Sequence, residues 1–517
     1  MALARWFDGL VTPAVRDRPL AFFEGTSISY GEVRDRAWAL GSALQRLQVA
    51  GERVVTMLPN DFDLLVTQIA ILHAGGIAVP VMAEGTPDDM RHFIEDSQAA
   101  VVIATPERWA EVAPILKKLP ATVILSREPD RSLGGSGLHL LPELEEQGAS
   151  IGLDPVGVRV TDPMALMYTS GSTSRPKGVV LDAAGFIKDA AIQPERFGFK
   201  DGENALGVMQ LFHIAGWHQA LAIALGCRGG LMMQTRFSAS RFWSDVEETN
   251  TVGGLLMPAM MAILLARPPS SDDAQHPLRT VLSHWVDDRF EARFGVEIVP
   301  VWGQTELGGL AASGIVGDSI RPPSCVGRPV PGIEIEIRDP QRERLPPGCV
   351  GEIAARSPWL MKGYWGDAAV TASVLSDGWL STGDLGYLDE QGRLYFSGRL
   401  KAIIKRGGEN ISAVEVEEAL VAHPDVCECA CFSVPDPIRT EEVKVVLVAE
   451  PGVTLDLQQL AAFGDERLAK FKVPRYWEVR TELPRTRSLK VNYGALAADH
   501  ALDAVWDRTA TSVESGS

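Results

Sequence analysis

Short apolar runs of strand length alternate with helical patterns over the first 160 residues, and this alternation most constrains the fold. Ser29-Tyr30-Gly31-Glu32 fits a capping box that opens an amphipathic helix ending near Leu47. Leu64–His73 is also helix-like. The strand-like runs are Arg53–Leu58, Ile77–Val81, Ala99–Ala104 and Ala121–Leu125. Strands that alternate with helices favour parallel α/β layers.

The chain has 517 residues, which is too long for one ordinary core. From about Gly332 the patterns become shorter and β-rich, and beyond Gly398 a new α+β pattern begins. We therefore predict a large α/β domain with a β-rich subdomain over residues 1–398 and a small α+β domain over 399–517. The predicted elements of the small domain are a helix over Ala413–Val421, strands near Cys427–Val434 and Glu442–Val448, and a helix near Leu457–Leu468.

The net charge of the chain is -18, from 49 basic and 67 acidic residues. Proteins that bind a phosphate backbone usually present a basic face, so nucleic acid is not an expected partner. The sequence has neither a signal-peptide apolar block nor the long apolar run that a membrane span requires. We expect a cytoplasmic protein.

Six cysteines are present, and Cys427, Cys429 and Cys431 alternate along one predicted strand. Side chains at that spacing share one face of a strand. Because free cysteine packs as a small hydrophobic residue, we expect these three to be buried strand residues. No CxxC pair occurs, so a zinc ribbon is not expected.

A loop rich in hydroxyl groups and glycine follows a predicted strand that ends at Tyr168. Its sequence is Tyr168-Thr169-Ser170-Gly171-Ser172-Thr173-Ser174-Arg175-Pro176-Lys177-Gly178, and the apolar run Val179–Leu181 follows. Backbone amides, hydroxyls and a closing lysine can surround phosphate groups with many donors. The loop lacks the Gly-Lys-Ser/Thr of a Walker A loop, so a different type of phosphate site is predicted.

This stretch resembles the phosphate loop of the adenylate-forming superfamily, which includes acyl-CoA synthetases, peptide-synthetase adenylation domains and luciferases. The resemblance continues in the same order from Leu58-Pro59-Asn60 to Lys490. It implies a fold with a mobile C-terminal cap, and ATP, Mg²⁺ and coenzyme A as ligands. It also implies that Thr173 and Lys177 act on the phosphates together with their neighbours Thr169, Ser170, Gly171 and Ser172.

A second motif is Trp302-Gly303-Gln304-Thr305-Glu306. It combines an aromatic ring, a glycine, a hydroxyl and a carboxylate, which suit an adenine, an α-phosphate and Mg²⁺. The resemblance assigns Trp302 to adenine stacking, Thr305 to the α-phosphate and Glu306 to the metal. Gly303 and Gln304 complete this nucleotide-binding segment.

A third motif, Ser381-Thr382-Gly383-Asp384-Leu385-Gly386-Tyr387, is followed by Gly398-Arg399. A carboxylate can accept hydrogen bonds from both hydroxyls of a ribose. The resemblance gives this role to Asp384 and places Arg399 beside it. An aspartate in a glycine-flanked turn also commonly stabilises the turn itself.

The segment that follows is Arg399–Arg406, with Gly407 and Gly408 after it. The resemblance makes Lys401 the hinge of the cap, and places Lys405, Gly407 and Gly408 along the channel for coenzyme A. A basic, solvated hairpin would explain the lysines of this segment but not the paired glycines.

The last motif is Leu483-Pro484-Arg485-Thr486-Arg487-Ser488-Leu489-Lys490-Val491. The resemblance makes Lys490 the catalytic lysine, which would bridge the substrate carboxylate and the α-phosphate as charge develops there. Relatives usually have glycine where this chain has Leu489, and arginine where it has Tyr493.

Gln210-Leu211-Phe212-His213-Ile214-Ala215-Gly216-Trp217 resembles the segment at the acyl pocket and channel mouth of the family. His213 and Trp217 are therefore candidates for substrate or coenzyme A binding. The segment between Ser283 and Arg293 is several residues shorter than in relatives, which alters the predicted adenine wall. Phe212, Trp217 and Trp285 predict a bulky apolar or aromatic acid.

Together these motifs predict an AMP-forming ligase. A carboxylic acid attacks MgATP to give an acyl-adenylate and pyrophosphate, and coenzyme A then takes the acyl group. Two alternatives stay open. The acceptor could be a carrier-protein phosphopantetheine, or the chain could be a nucleotide- or acyl-binding homologue with weakened catalysis. A homodimer is also left open.

Overall fold

The computed structural model describes residues 3–118, 120–129, 137–169, 175–318, 321–406, 409–486, 490–498 and 505–509. The chain divides into two compact units. The first unit comprises Met1–Leu256, Ser271–Glu334 and Ala355–Leu380, and the second comprises Met257–Ser270, Ile335–Ala354 and Ser381–Ser517. The domain boundary that we predict at residues 398 and 399 stays a prediction.

The strands are numbered in chain order. The first nineteen are β1 (Pro19–Phe23), β2 (Thr26–Ser29), β3 (Arg53–Met57), β4 (Ile77–Pro80), β5 (Val101–Ala104), β6 (Thr122–Leu125), β7 (Leu138–Leu140), β8 (Pro163–Thr169), β9 (Lys177–Asp182), β10 (Asn204–Gly207), β11 (Leu231–Met233), β12 (Thr251–Leu255), β13 (Thr280–Ser283), β14 (Glu297–Gln304), β15 (Gly309–Ser313), β16 (Cys325–Pro329), β17 (Glu334–Arg338), β18 (Gly351–Arg356) and β19 (Gly363–Tyr364). The remaining strands are β20 (Leu375–Ser376), β21 (Trp379–Leu388), β22 (Leu394–Arg399), β23 (Ile403–Arg406), β24 (Glu409–Ser412), β25 (Val426–Asp436), β26 (Thr440–Ala449), β27 (Tyr476–Arg480) and β28 (Trp506–Asp507).

The helices are also numbered in chain order. They are α1 (Leu3–Leu10), α2 (Tyr30–Arg46), α3 (Phe62–His73), α4 (Pro87–Asp96), α5 (Pro106–Val112), α6 (Leu141–Ile151), α7 (Ala183–Arg196), α8 (Ala222–Gly226), α9 (Phe242–Glu248), α10 (Pro258–Leu265), α11 (Asp288–Phe294), α12 (Ala368–Val374), α13 (Ala413–Val421), α14 (Leu457–Arg467) and α15 (Tyr493–Ala498). A π-helical segment, Gly216–Leu221, leads directly into α8. No helix in the described ranges is long and apolar enough to cross a membrane.

One sheet of the first unit has eight strands in the order β19-β9-β8-β4-β3-β5-β6-β7. Strand β8 and the five strands that follow it in this order run parallel, as the alternation of strands and helices predicts. At the other end, β8, β9 and β19 are antiparallel neighbours. The phosphate-loop motif therefore lies between two adjacent antiparallel strands.

The second sheet of the first unit contains the strands β16-β15-β14-β13-β12-β10-β11-β1-β2 in that order. Strands β10 to β14 run parallel to one another, and the chain then reverses into β15, which is antiparallel to β14. The second motif occupies this reversal, because Trp302, Gly303 and Gln304 end β14 and Thr305–Leu307 forms a 3-10 turn.

The second unit contains the hairpin β21–β22 and a separate sheet with the order β24-β23-β26-β27-β28, in which β25 also pairs with β26. One face of this sheet packs on α13 and α14, with the cluster Ile404, Ile411, Val416, Leu420, Cys429, Cys431, Val443 and Trp477 buried between them. The α+β pattern predicted beyond Gly398 is present, and helix α13 has the predicted bounds.

Local capping explains several helix starts. Ser29 accepts from the backbone N–H of Glu32, whose carboxylate accepts from the backbone N–H of Ser29, so the predicted capping box is confirmed. Asp61 and Asp182 cap α3 and α7 more simply, each with a side chain that accepts from one backbone N–H of the first turn. Because Asp182 is also the last residue of β9, α7 begins directly after that strand.

The cysteine prediction is confirmed for two of the three residues. Cys429 and Cys431 are buried in the core of the second unit, whereas Cys427 is half-buried. The pairing of β25 with β26 shifts register between Val426 and Glu428. Cys427 therefore does not follow the alternation of inward- and outward-facing side chains that holds for Cys429 and Cys431. Burial raises the pKa of both buried thiols.

Candidate active site

The base of the phosphate-loop motif is a β-hairpin whose two strands pair at Thr169 and Lys177. Ser170, Gly171, Ser172 and Thr173 lie outside the described residues. Tyr168 secures the base of the hairpin, because its hydroxyl donates to Asp96 at 2.7 Å and its ring lies 4.7 Å from that of Phe93. Burial raises the pKa of the Tyr168 hydroxyl, so it acts as a neutral donor.

Lys177 and Glu306 both contact Tyr364, which lies on strand β19. The Tyr364 hydroxyl donates to Glu306 Oε1 at 3.0 Å, and Lys177 Nζ lies 5.3 Å from the centre of the Tyr364 ring. Burial, and then the negative charge of Glu306, raises the pKa of the Tyr364 hydroxyl. Two motifs that are distant in sequence thus converge on one tyrosine, which the sequence analysis missed.

The loop that carries Glu306 is closely supported. The backbone N–H of Met361 donates to the Glu306 carbonyl at 2.9 Å. A Cβ atom at Gly303 would lie 2.5 Å from the carbonyl oxygen of Gly309, so the motif requires glycine there. Trp302 and Thr305 are buried, and Gln304 and Glu306 are partly exposed. The Glu306 carboxylate is therefore the acidic group of this motif that a ligand can reach.

A buried group of three polar side chains lies behind this loop, and sequence reasoning missed it. Lys188 Nζ lies 2.6 Å from one carboxylate oxygen of Asp189, and His218 Nδ1 lies 3.0 Å from the other. Lys188 also donates to the Leu310 carbonyl at 3.0 Å. A Cβ atom at Gly309 would lie 2.1 Å from the Asp189 carboxylate, and Gly309 has φ +115°, so the loop packs directly on this group. We call Lys188, Asp189 and His218 the buried triad.

A signal for the triad exists in the sequence. Helical spacing places Asp189 on the same face as Phe186 and Gln193, three and four residues away, and all three are buried. A charged residue on an apolar helix face requires a partner in the core. The identity of that partner, His218, could not be predicted because it is far away in sequence.

His213 precedes the π-helical segment and stabilises its start. Its carbonyl accepts from the N–H groups of Gly216 and Trp217, at 2.9 and 3.2 Å, and its Nδ1 accepts from Ala215 N–H at 3.1 Å. Asn60 holds the same segment by accepting from Leu211 N–H at 3.0 Å. The ring of His213 is half-buried.

Trp217 is buried and packs edge-on against Phe186, with ring centres 5.7 Å apart. It borders a small apolar cavity with Leu3, Trp6, Phe7, Ile69 and Leu221. Trp285, by contrast, is half-buried in the short connection between β13 and α11. The predicted roles of these aromatic residues in acid binding stay predictions.

Asp384 and Arg399 of the second unit are direct cross-strand neighbours on β21 and β22. Arg399 Nε lies 3.3 Å from Asp384 Oδ1, and the aspartate is buried whereas the arginine is exposed. The backbone N–H of Asp384 donates to Thr382 Oγ1 at 3.1 Å. The hairpin thus fixes the carboxylate and leaves the arginine accessible.

Lys401 lies in a 3-10 turn, Leu400–Ala402, directly after β22. Lys405 lies on β23 with an exposed side chain, and its backbone N–H donates to Glu441 at 2.6 Å. Gly407 and Gly408 lie outside the described residues. The predicted hinge therefore connects the hairpin that carries Asp384 to the sheet of the second unit.

Lys490 begins the described stretch 490–498, and Leu489 before it lies outside the described residues. Thr486 N–H donates to the Lys490 carbonyl at 2.7 Å, and Arg485 and Val491 form an antiparallel bridge. The residue keeps solvent-exposed surface, although protein atoms crowd its ammonium group. Desolvation by nearby protein atoms, and then the positive charge of Arg399, lowers the pKa of the Lys490 ammonium.

The family model described as AMP-binding enzyme matches residues 12–365. The chain belongs to this family. A second model, described as the C-terminal domain of AMP-binding enzymes, matches residues 415–490 and ends on Lys490. The motifs built around Lys177 and Glu306 lie within the first match.

Several relatives of this AMP-binding enzyme are CoA ligases. The crotonobetaine/carnitine–CoA ligase of Shigella sonnei (strain Ss046) is 32% identical over 461 residues, which cover 85% of this chain and 87% of that ligase. The structure of a benzoate CoA ligase from Burkholderia xenovorans LB400 aligns with a TM-score of 0.86 and 25% identity, covering 96% of this chain and all of that one. ATP-bound MatB from Rhodopseudomonas palustris aligns with a TM-score of 0.84 and 26% identity, covering 96% and 99%. The predicted family and fold class are confirmed.

The donor set of this AMP-binding enzyme fits a magnesium ion held together with a nucleotide. Within the described residues, no group of three or more histidine, cysteine or acidic side chains is arranged to hold a metal alone. Mg²⁺ commonly takes one or two carboxylates and completes its shell with phosphate oxygens and water. The partly exposed carboxylate of Glu306 can supply that one protein ligand.

Proposed function

We propose that this AMP-binding enzyme is an ATP-dependent, AMP-forming acid–thiol ligase. It converts a carboxylic acid and ATP into an acyl-adenylate and pyrophosphate, and then transfers the acyl group to coenzyme A. The convergence of Lys177 and Glu306 on Tyr364 carries this proposal, because it places a cation and a carboxylate beside one phosphate-loop hairpin.

The proposed roles of the first unit follow from charge. Negative charge is redistributed over the phosphates when pyrophosphate leaves, and preorganised cations stabilise that change. Lys177, with the adjoining loop that contains Thr169 and Thr173, binds phosphate oxygens. Glu306 holds Mg²⁺, which would offset phosphate charge when bound. Tyr364 orients the Glu306 carboxylate by its hydrogen bond.

The proposed roles of the second unit concern the ribose and the reacting groups. The buried Asp384 carboxylate accepts from ribose hydroxyls, and Arg399 lies beside it. Lys490 stabilises the acid carboxylate and the α-phosphate in the first step. A rotation at Lys401 then replaces Lys490 with the channel for coenzyme A, to which Lys405, Gly407 and Gly408 contribute. We further propose the cytoplasm as the location of the reaction.

We propose a bulky apolar or aromatic acid as substrate. The partly exposed Trp285 in the short connection after β13 supports this choice, as does the half-buried Phe212 beside His213. Among the relatives, one is named as a ligase of crotonobetaine or carnitine and another as a ligase of benzoate, so the family accommodates different acids.

The decisive experiment measures pyrophosphate release with ATP, Mg²⁺ and a panel of acids, from acetate to medium-chain and ring-bearing acids. We expect release with at least one bulky acid and a lower turnover efficiency with acetate. Glu306→Gln keeps the shape of the side chain and removes its charge. It should slow release by roughly 100-fold or more and raise the magnesium concentration needed for half-maximal rate. Wild-type rate and magnesium dependence in this variant would refute the role of Glu306.

The acceptor is tested by the mass of the thioester product. Free coenzyme A and a carrier protein loaded with phosphopantetheine are supplied in parallel with the acid that gives the fastest pyrophosphate release. We expect acyl-CoA as the product. Acylation of the carrier protein alone would contradict coenzyme A as the acceptor while leaving the adenylation step intact.

A further inference from the structure

Two anchors connect the Lys490 segment to the rest of the second unit, one to strand β25 and one to helix α13. Before Lys490 in the chain, Arg485 contacts both carboxylate oxygens of Glu428, each at 2.6 Å. After Lys490, the Tyr493 hydroxyl donates to Glu417 Oε1 at 2.7 Å. Tyr493 begins helix α15, three residues after Lys490. The second anchor therefore fixes the helix that follows the lysine.

Glu417 lies on α13 and is buried at the edge of the sheet. Besides the bond from Tyr493, its Oε1 accepts from the backbone N–H of Cys431 at 2.7 Å. Among the described residues, β25 pairs with β26 on one side and has no strand on its other side. The backbone N–H of Cys431 therefore needs a hydrogen-bond acceptor that is not a strand. The carboxyl of Glu417 is thus a link between an open strand edge and α15.

The charge around Glu417 is unusual for a buried carboxyl. No lysine, arginine or histidine in the described part of the chain forms an ion pair with it. The titratable groups that face it are Glu418 of its own helix, Cys429 and Cys431 of β25, and Tyr493 of α15. Burial raises the pKas of both thiols and of the Tyr493 hydroxyl, so these three neighbours are uncharged.

Burial raises the pKa of the Glu417 carboxyl to about 7, against the lowering effect of the Cys431 N–H and the Tyr493 hydroxyl. Both donors bond to the same oxygen, which suits a neutral carboxyl with its proton on the other oxygen. An arginine at the position of Tyr493 could neutralise a carboxylate directly. In this chain the Tyr493 hydroxyl instead donates a hydrogen bond to Glu417.

We propose that Glu417 and Tyr493 form a positioning pair, in which a neutral Glu417 carboxyl holds α15 and thereby the Lys490 ammonium in its place for adenylation. This inference rests on the proposed role of Lys490. When Glu417 loses its proton, a negative charge without a cation is buried at the sheet edge. The link then weakens, and adenylation slows as the pH rises through about 7.

The test compares pH profiles of the adenylation step, measured as ATP–pyrophosphate exchange, for the full chain and three variants. Glu417→Gln keeps both acceptor bonds and cannot ionise, so its profile should lack the decline of the wild type near pH 7. Tyr493→Arg gives Glu417 a cation, and the decline should again disappear. Tyr493→Phe removes the hydroxyl and should lower the rate at low pH by about two- to tenfold, the effect of one hydrogen bond.

Glu415→Gln is the matched control, because Glu415 lies on the same helix and pairs with Lys472 outside the pair. Its pH profile should equal that of the wild type. Thioester formation from supplied acyl-adenylate should keep its pH profile in all variants, since Lys490 serves the first step. Circular dichroism at each pH confirms that the variants are folded.

The outcomes separate this inference from the proposed function. A wild-type chain that exchanges pyrophosphate with no acid of the panel would overturn the proposed function. A wild-type chain that exchanges pyrophosphate, with Glu417→Gln and Tyr493→Arg retaining the same decline, would overturn the positioning pair alone.

Discussion

Asp189 of the first unit and Glu417 of the second are both buried carboxyl groups, but their neighbours differ. Asp189 lies between Lys188 Nζ and His218 Nδ1, at 2.6 and 3.0 Å. Glu417 accepts from a tyrosine hydroxyl and a backbone N–H, both at 2.7 Å. Removing a carboxylate from water costs several kcal/mol, so each site must offset that cost in some way.

The comparison shows two solutions to one physical problem. In the buried triad, a lysine ammonium compensates the negative charge, and the same ammonium donates to Leu310 beside the Glu306 loop. At Glu417, burial raises the pKa of the carboxyl to about 7, so the negative charge is largely avoided below that pH. The triad should therefore be sensitive to mutations that remove a charge, and the Glu417 site should be sensitive to pH.

The largest effect is expected from Asp189→Asn. This change leaves the Lys188 ammonium buried without its counter-ion, and breaking a buried pair in this way costs about 3–5 kcal/mol. Urea unfolding followed by tryptophan fluorescence should show the loss as a lower midpoint for the first unit. Wild-type stability in this variant would mean that the triad is not held by charge.

A smaller effect is expected from pH at Glu417. The pKa of its carboxyl is about 7 in the folded chain, against an ordinary value of 4.5. Between these two pH values the folded state therefore binds a proton that the unfolded state has released. The contribution of this group to the free energy of unfolding should be greatest below pH 4.5 and should decrease as the pH rises to about 7. The change in the free energy of unfolding is at most about 3.5 kcal/mol, at about 1.4 kcal/mol per pKa unit. Unfolding of the wild type and Glu417→Gln across this range measures it, and identical slopes would contradict the shift.

Removing both charges of the pair should restore much of what Asp189→Asn loses. Lys188→Met combined with Asp189→Asn leaves no buried ion, and such replacements are often close to neutral. We expect the double variant to be about 1–3 kcal/mol more stable than Asp189→Asn. A double-mutant cycle on the urea midpoints gives the coupling energy. Additive losses would argue against direct coupling of the two residues.

The smallest effect is expected at the surface. Asp201 pairs with Arg228 and with Arg18, but all three side chains are substantially exposed. Asp201→Asn should change stability by less than about 1 kcal/mol, and the effect should shrink further at high salt. A loss comparable with that of Asp189→Asn would remove the distinction between buried and exposed pairs.

Much of the local structure was predictable from sequence. The capping box of Ser29 and Glu32 and the full extent of Ala413–Val421 are set by side chains within a few residues, so short-range patterns predict them. Cys427 marks the limit of such patterns. A one-residue register shift moves it out of the alternation, and that shift depends on pairing with β26.

The candidate site was predictable only in its parts. The order of the motifs predicted which segments carry Lys177, Glu306, Asp384 and Lys490, and the match to the AMP-binding enzyme family agrees with that order. Lys188 adjoins Asp189 in the sequence, but Tyr364, His218 and Tyr493 were not predictable as partners. Nothing adjacent in sequence identifies these three, because each is brought to its partner by a separate strand or helix.

The family, the types of the elements and the residues that can carry chemistry were readable in the amino-acid sequence, because these depend on local patterns and on motif order. Which of those residues meet depended on how the chain folds in three dimensions. The fold joined Lys177 to Glu306 through Tyr364, surrounded Asp189 with Lys188 and His218, and gave Glu417 a tyrosine in place of a cation. Such contacts depend on long-range packing, and the resulting burial determines whether a carboxyl group is charged or neutral.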